Sequence, residues 1–267
     1  MTMMEDAPKT MVLRDPQVYL VGRQSIDEEA LSRFLSDHEV ATWTTDADEA
    51  GEKLVEVAGR LCYMSFAKPR PGGNSAYIHH ILEVGHGSVL EHAVFNFIIS
   101  GVSRSFTHEL VRHRAGMGYS QLSQRFVDES QCAFVEPDAI AEDPELHRIW
   151  LDAITASQEA YRRLADGLAA KFSAIEDRTL RRKKAREAAR SVLPNATETR
   201  IFVTGNARAL RHFIEMRGDA AADAEIRKVA VAMLRILKED SPNLFGDYAI
   251  LESTESGQSV STAFKKV

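Results

Sequence analysis

A single α+β domain is what the sequence predicts, and three observations predict it. Short β-rich runs at residues 17–23, 93–102 and 198–205 are separated by longer segments with apolar residues at helical spacing. No glycine fingerprint follows a strand in the manner of a doubly wound sheet. No repeat, linker or charge block separates two domains, and 267 residues can bury a substantial core. The domain is expected to span residues 1–267, with flexible ends over about 1–15 and 252–267. The first end has no apolar period, and the second is rich in Ser and Thr.

The elements follow in order. "QVYLVGR" alternates and is β-rich, so Gln17–Arg23 reads as a strand. Asp27–His38 and Asp46–Met64 carry acidic first turns and helical apolar spacing. "AKPRPGGN" is a loop, and Asn74 is expected to cap a helix that stops near Gly85. Ala93–Val102 reads as a strand and Arg104–Ala115 as a helix. Pro144–Phe172 is a long helix, followed by a second through Arg190 that ends before Leu193-Pro194. Glu198–Gly205 is a strand, and Asn206–Arg217 and Ala221–Glu239 are helices.

Composition excludes several classes. A hydrophobic share of 44% with 27% charged residues is that of an ordinary soluble protein. A net charge of −6 argues against a general nucleic-acid binder, so the cations must be used locally. The only cysteines, Cys62 and Cys132, are far apart, which excludes a disulfide scaffold and a recognisable zinc site. Neither has an activating partner in sequence. No signal peptide or long apolar run is visible, so no membrane is expected and the cytoplasm is the default compartment.

The cations concentrate in two places. On a helix over Arg104–Ala115, Arg104, His108 and Arg112 would form one stripe beside Glu109 and His113, anchored by Phe106, Leu110 and Val111. Gly116 and Gly118 then free the backbone, and "YSQLSQR" offers hydroxyls, amides and the Arg125 fork. Arginine favours bidentate anion binding or stacking on a flat ring, so the segment suits a phosphorylated planar ligand. A salt-bridged helix and loop would be the plainer reading. The second island is "NARALRHFIEMR", with Asn206 as N-cap and Arg208, Arg211, His212 and Arg217 on one helix. Arg190 by itself reads as a cation offsetting a helix dipole. In "GHGSVLEH", a lone GxG is weak evidence for phosphate, and His86 reads as structural.

Together these segments resemble the flavin-dependent thymidylate synthases. The family hallmark appears as Arg112-His113-Arg114 followed by Ser123-Gln124-Arg125-Phe126. "GHGSVLEHAVFNF", "ARSVLP…NARALRHFIEMR" and "LFGDYAI" resemble further family segments in the same order, from about Gln17 to Leu251. One departure is that eight residues stand between Arg114 and Ser123, where the family has seven. A glycine bulge would absorb the extra residue and leave "YSQLSQR" in place.

The resemblance implies an antiparallel sheet flanked by helices and a homotetramer with active sites between subunits. It implies reductive methylation of dUMP to dTMP, with methylenetetrahydrofolate as carbon donor and NADPH as reductant through bound FAD. Ser88, Arg112, His113, Arg114, Gln121, Asn206, Ala207, Arg208 and His212 would hold FAD. Glu109, Leu110, Val111, Arg112, Gln121, Leu122, Ser123, Gln124, Arg125, Arg190 and Arg217 would hold dUMP. Arg217 would activate the uracil at N3, and Ser123 would orient the nucleotide rather than attack it. The alternatives are a same-fold enzyme methylating or hydroxymethylating another pyrimidine nucleotide such as UMP, and a flavin-free nucleotide- or RNA-binding module.

Overall fold

The computed structural model describes residues 10–68, 70–253 and 257–267. The chain runs β1 (Met11–Leu13), β2 (Gln17–Arg23), α1 (Glu28–Asp37), α2 (Ala50–Leu61), α3 (Gly73–Glu83), a 3-10 helix (Gly87–His92) and β3 (Val94–Ser103). It continues through α4 (Arg104–Leu110), β4 (Met117–Gln121), β5 (Ala133–Val135), α5 (Asp138–Ala141), α6 (Pro144–Lys171), α7 (Arg178–Ala189) and a 3-10 turn (Arg190–Val192). Last come β6 (Glu198–Asn206), α8 (Ala207–Arg217), α9 (Ala224–Asp240), α10 (Pro242–Phe245), β7 (Ala249–Ser253) and β8 (Gly257–Ser261). The fold is α+β, with antiparallel sheet and helices as expected. Strands β2-β3-β6-β4 form the four-stranded sheet, and β1-β5 and β7-β8 form two small ones.

By internal packing the chain groups into two compact units. Unit 1 is Met1–Gln17, Ile99–Leu110 and Ser120–Ile201; unit 2 is Val18–Ile98, Val111–Tyr119 and Phe202–Val267. In unit 1, α6 packs along α7. Asp143 caps α6 by accepting from the N–H groups of Glu145 and Leu146, and Pro144 stands where its missing N–H is harmless. Cys132, Phe134 and Ile154 form a buried cluster under Trp150, Leu193 and Ala196. β1 pairs in parallel with β5, Met11 opposite Ala133 and Leu13 opposite Val135. Buried Glu136 accepts from Arg14 Nη2 at 2.8 Å and lies 2.5 Å from His147 Nδ1.

In unit 2, α8 buries Leu210, Phe213 and Ile214, and α9 buries Ile226, Val229, Ala230, Met233, Leu234 and Leu237, the apolar stripes that pack these helices together. Asn206 caps α8 through Oδ1, which accepts from Ala209 N at 2.9 Å. A satellite cluster joins Leu35, Trp43 and Phe66.

Four expectations need correction. Asn74 does not cap α3. The helix starts after Gly72, whose φ of +94° suits glycine. Asn74 lies buried inside it, donating to Glu56 Oε2 at 2.8 Å and to the Glu52 carbonyl at 3.2 Å. The helix expected over Arg104–Ala115 stops at Leu110. Beyond it the carbonyls of His113, Arg114 and Gly116 accept from Tyr119 Oη, Met117 N and Asn206 N, which takes them out of any helical ladder. Arg112 is therefore not on the Arg104 and His108 stripe, and Val111 is exposed instead of anchoring it.

The ends are also more ordered than expected where they are described. Residues 1–9 of the first end lie outside the described residues, but Met11–Leu13 is a paired strand. β7 and β8 form an antiparallel hairpin with Ile250 opposite Val260, and Thr262 and Val267 are buried. Val260 N–H donates to the Gly218 carbonyl at 2.8 Å, so this segment is fixed by backbone bonds that composition does not show.

Candidate active site

Unit 2 assembles its cations from two chain segments. The loop after α4 and the helix α8 together line a cleft of about 540 Å³ with Arg112, His113, Arg114, Ala115, Ala209, His212, Met216 and Arg217. Five of those eight residues are Arg or His. Arg217, the last residue of α8, donates from Nε to His113 Nε2 at 3.0 Å. His113 meets Phe213 edge-on at 5.3 Å and His212 at 5.7 Å.

Burial pushes the His113 imidazole down to about 4, and the charges of Arg217, His212 and Arg112 push in the same direction. The ring is thus neutral near pH 7. It accepts at Nε2, so its proton sits on Nδ1. The arrangement fixes the plane of the Arg217 guanidinium without placing a second full charge against it. Tyr119, whose phenol burial raises to about 12, remains protonated and donates to the His113 carbonyl at 2.6 Å.

A second cleft of about 500 Å³ shares Ala115, Ala209, His212 and Met216 with the first. Its other walls are Glu91, Gly116, Asn206, Arg208, Glu215, Lys266 and Val267. Arg208 Nη1 donates to Glu91 Oε1 at 2.7 Å. Gly116 has φ +69°, and a Cβ there would come within 2.6 Å of Asn206 Nδ2. The glycine lets the loop close onto the N-cap of α8, where Asn206 N–H donates to the Gly116 carbonyl.

Unit 1 holds the remaining hallmark residues. Gln121 is half-buried, donating to Thr107 Oγ1 at 3.1 Å and Thr199 Oγ1 at 3.3 Å. Leu122 N–H donates to the Arg200 carbonyl, and the Ser123 carbonyl accepts from Phe126 and Val127 N–H, so a turn follows β4. Gln124 is buried, with Nε2 unpartnered. Arg125 lies 3.8 Å from Glu187 and over the Phe126 ring at 5.9 Å. Glu109 is half-buried and Leu110 buried at the end of α4, and Arg190 caps the C-terminus of α7.

Within unit 2, then, Arg112, His113, Arg114, Asn206, Arg208, His212 and Arg217 converge on two adjoining clefts. Ala207 is buried behind them, donating its N–H to the Ala93 carbonyl. Ser88 is exposed on the 3-10 helix and lines neither cleft. Arg211 turns away from both, into the core, and grips Asp247 with two bonds.

Sequence reasoning did not assign Glu91, Glu215 or Lys266 to a site. Glu91 stood in a quoted motif, but its arginine partner is 117 residues away. It also did not foresee the facing charges of Arg104 and Glu129 in unit 1. Arg104 Nη1 and Glu129 Oε1 are buried without hydrogen-bond partners. Burial lifts the Glu129 carboxyl to about 7, against the pull of Arg104. Its folded pKa exceeds its unfolded one, so its contribution is full below about 4.5 and is lost as pH rises through about 7. Glu129→Gln is therefore expected to gain melting temperature relative to the parent at pH 8.5 and to differ little at pH 5. Thermal melts across that range check it, and a pH-independent difference refutes it.

No group of side chains among the described residues is arranged to hold a metal ion. No described helix is long and apolar enough to cross a membrane. For a flavin, the donor set fits. Arginines and histidines line two adjoining clefts, and glycines let the backbone close on them.

Comparison with known proteins identifies the family. The profile of the thymidylate synthase complementing protein family matches residues 44–243. The flavin-dependent thymidylate synthase of Mycobacteroides abscessus is 55% identical over 210 residues, covering 78% of this chain and 83% of that one. The enzyme of the same description from Mycobacterium marinum is 50% identical over 236 residues, covering 88% and 93%. In fold, the chain is similar to the UMP/dUMP methylase PolB from Streptomyces cacaoi, with a TM-score of 0.65 at 24% identity over 90% of this chain and 96% of that one. A profile match over most of the chain and relatives of this identity and extent agree: the chain belongs to the flavin-dependent thymidylate synthase family.

Proposed function

We propose that this protein converts dUMP to dTMP by reductive methylation, with FAD bound, NADPH as reductant and methylenetetrahydrofolate as carbon donor. The observation that carries the reading is the cleft where Arg112, His113, Arg114, His212 and Arg217 meet. When bound, a flavin supplies hydride chemistry. Asn206, Arg208, His212 and Arg112–Arg114 are the residues of this chain that would hold it, with Ser88 and Gln121 as further contacts.

Uracil C5 is a poor nucleophile until N3 gives up or shares its proton. Arg217 cannot act as a base, because guanidinium keeps its protons at any working pH. It can donate a charge-assisted hydrogen bond to the N3 anion, worth about 1.5–3 kcal/mol. That corresponds to lowering the N3 pKa by roughly one to two units. Neutral His113 on Arg217 Nε keeps the fork in one orientation. Arg125 and Arg190 are assigned to the nucleotide phosphate, Gln121, Leu122, Ser123 and Gln124 to its base and sugar, and Glu109–Arg112 to the approach from α4. No protein nucleophile is needed.

The assembly we infer is a homotetramer with sites at subunit interfaces, working in the cytoplasm without nucleic acid or membrane. Family membership and the net negative charge support this.

The test is direct. Purified protein is expected to be yellow, to oxidise NADPH faster when dUMP is added, and to form dTMP only with methylenetetrahydrofolate. A colourless protein that FAD cannot reconstitute would sink the reading. UMP as competing substrate distinguishes the alternative within this fold.

Cys62→Ala/Cys132→Ala is expected to retain most dTMP formation. Cys132 is buried, with its thiol pushed up to about 12, and so is not a thiolate at neutral pH; Cys62 is exposed at the end of α2. Lost turnover with normal flavin content would point to thiol chemistry instead.

A further inference from the structure

The segment Thr262–Val267 follows the last strand and lies beyond residues 44–243, which the family profile matches. It is held in place at several points. Thr262 Oγ1 donates to Asp247 Oδ2 at 2.5 Å, and Phe264 N–H donates back to Thr262 Oγ1 at 3.0 Å. The Phe264 ring meets His79 edge-on at 5.1 Å. Lys266 N–H donates to Glu215 Oε2 at 2.9 Å.

Two features show that this packing is demanding. Lys266 has φ +61°, a left-handed backbone that non-glycine residues adopt at a cost and that recurs at ligand clamps. Gly87, in the "GHGS" stretch, has no room for a side chain: a Cβ there would fall 2.6 Å from the Val267 carbonyl carbon and 3.0 Å from Arg208 Nε. The glycine that looked like a weak phosphate signal is what allows the segment and Arg208 to meet.

Lys266 and Val267 line the second cleft with Asn206, Arg208 and His212. Charges in that cleft are not equivalent. Arg208 is paired with Glu91, whereas Lys266 makes no ion pair among the described residues. We propose that Thr262–Val267 is a wall of the cofactor cleft, and that Lys266 supplies a cation to the phosphate-bearing part of the flavin nucleotide. This rests on the proposed flavin function.

The experiment titrates flavin-depleted protein with FAD and separately with riboflavin, which lacks phosphate, following flavin fluorescence at several salt concentrations. Lys266→Gln is expected to weaken FAD binding about three- to tenfold, to flatten its salt dependence and to leave riboflavin binding unchanged. Lys266→Arg should restore most of the FAD affinity. A chain stopped after Ser261 should lose FAD at least as severely. If that chain fails to fold, the exposed Lys266 variants still decide the matter. Unchanged FAD affinity and salt dependence in Lys266→Gln, with parent protein that binds FAD, would overturn this inference alone. Equal losses for FAD and riboflavin would overturn the phosphate assignment. Parent protein that takes up neither ligand would overturn the proposed function, and this inference with it.

Discussion

Arg217→Lys is expected to slow dTMP formation roughly ten- to a hundred-fold at saturating dUMP, with flavin content and melting close to those of the parent. The magnitude is that of one charge-assisted hydrogen bond, about 1.5–3 kcal/mol, converted to rate. Lysine keeps the charge but has no planar fork. An ammonium cannot hold His113 Nε2 in the geometry of Arg217 Nε and present a second fixed donor to uracil. By contrast, Arg125→Lys, on a residue assigned to phosphate, should mainly raise the dUMP concentration required. Steady-state kinetics of both variants separate the roles. Wild-type turnover by Arg217→Lys at saturating dUMP would show that Arg217 only binds, and the account of C5 activation would fall.

The largest stability effect is expected at Arg211. Its guanidinium is buried, donates to Asp247 Oδ1 at 2.6 Å and Oδ2 at 2.8 Å, and lies over the Tyr248 ring at 4.7 Å. It also donates to the Leu244 carbonyl at 2.7 Å. Arg211→Met leaves the Asp247 carboxylate without its cation, and removing one member of a buried pair costs about 3–5 kcal/mol. For a chain of this length that amounts to a melting temperature lower by roughly 10 °C. Adding Asp247→Leu should recover part of the loss, because an apolar pair tolerates burial better than a lone charge. A single variant that melts like the parent would show that the pair contributes nothing. Removing a cation outside both clefts in this way should harm folding before it harms chemistry.

Arg211 also shows where the sequence was legible and where it was not. Its helix was readable, because Leu210, Phe213 and Ile214 recur at helical spacing after an asparagine cap. Its role was not, since its partner lies 36 residues further on. The same division runs through the molecule. β2 fell on Gln17–Arg23 as read, because an alternating run between breakers allows little else. The helix over Arg104–Ala115 was overextended, since its cations matched helical spacing as well as they matched a loop. The loop that replaces its last turns is held at long range: Asn206, ninety residues away in the chain, donates its N–H to the Gly116 carbonyl. The hallmark residues Arg112, His113 and Arg114 were legible as a group, because a solvated helix face has no need of a histidine between two arginines. The pairing of Arg217 with His113 was not, nor was the place of Lys266 in the lining of the second cleft, which a Ser/Thr-rich tail disguised.

Asn206 performs two tasks with one residue. Its side chain starts α8, and its backbone receives the turn at Gly116. Loop and helix are thereby tied at the start of α8, as the Arg217–His113 bond ties them at its end, so neither can drift without the other. Thermal fluctuation in the hallmark loop should therefore be correlated with fraying of the first turn of α8. In hydrogen exchange, the amides of Asn206 and Ala209 should open together, at a rate that any change at Gly116 resets for both.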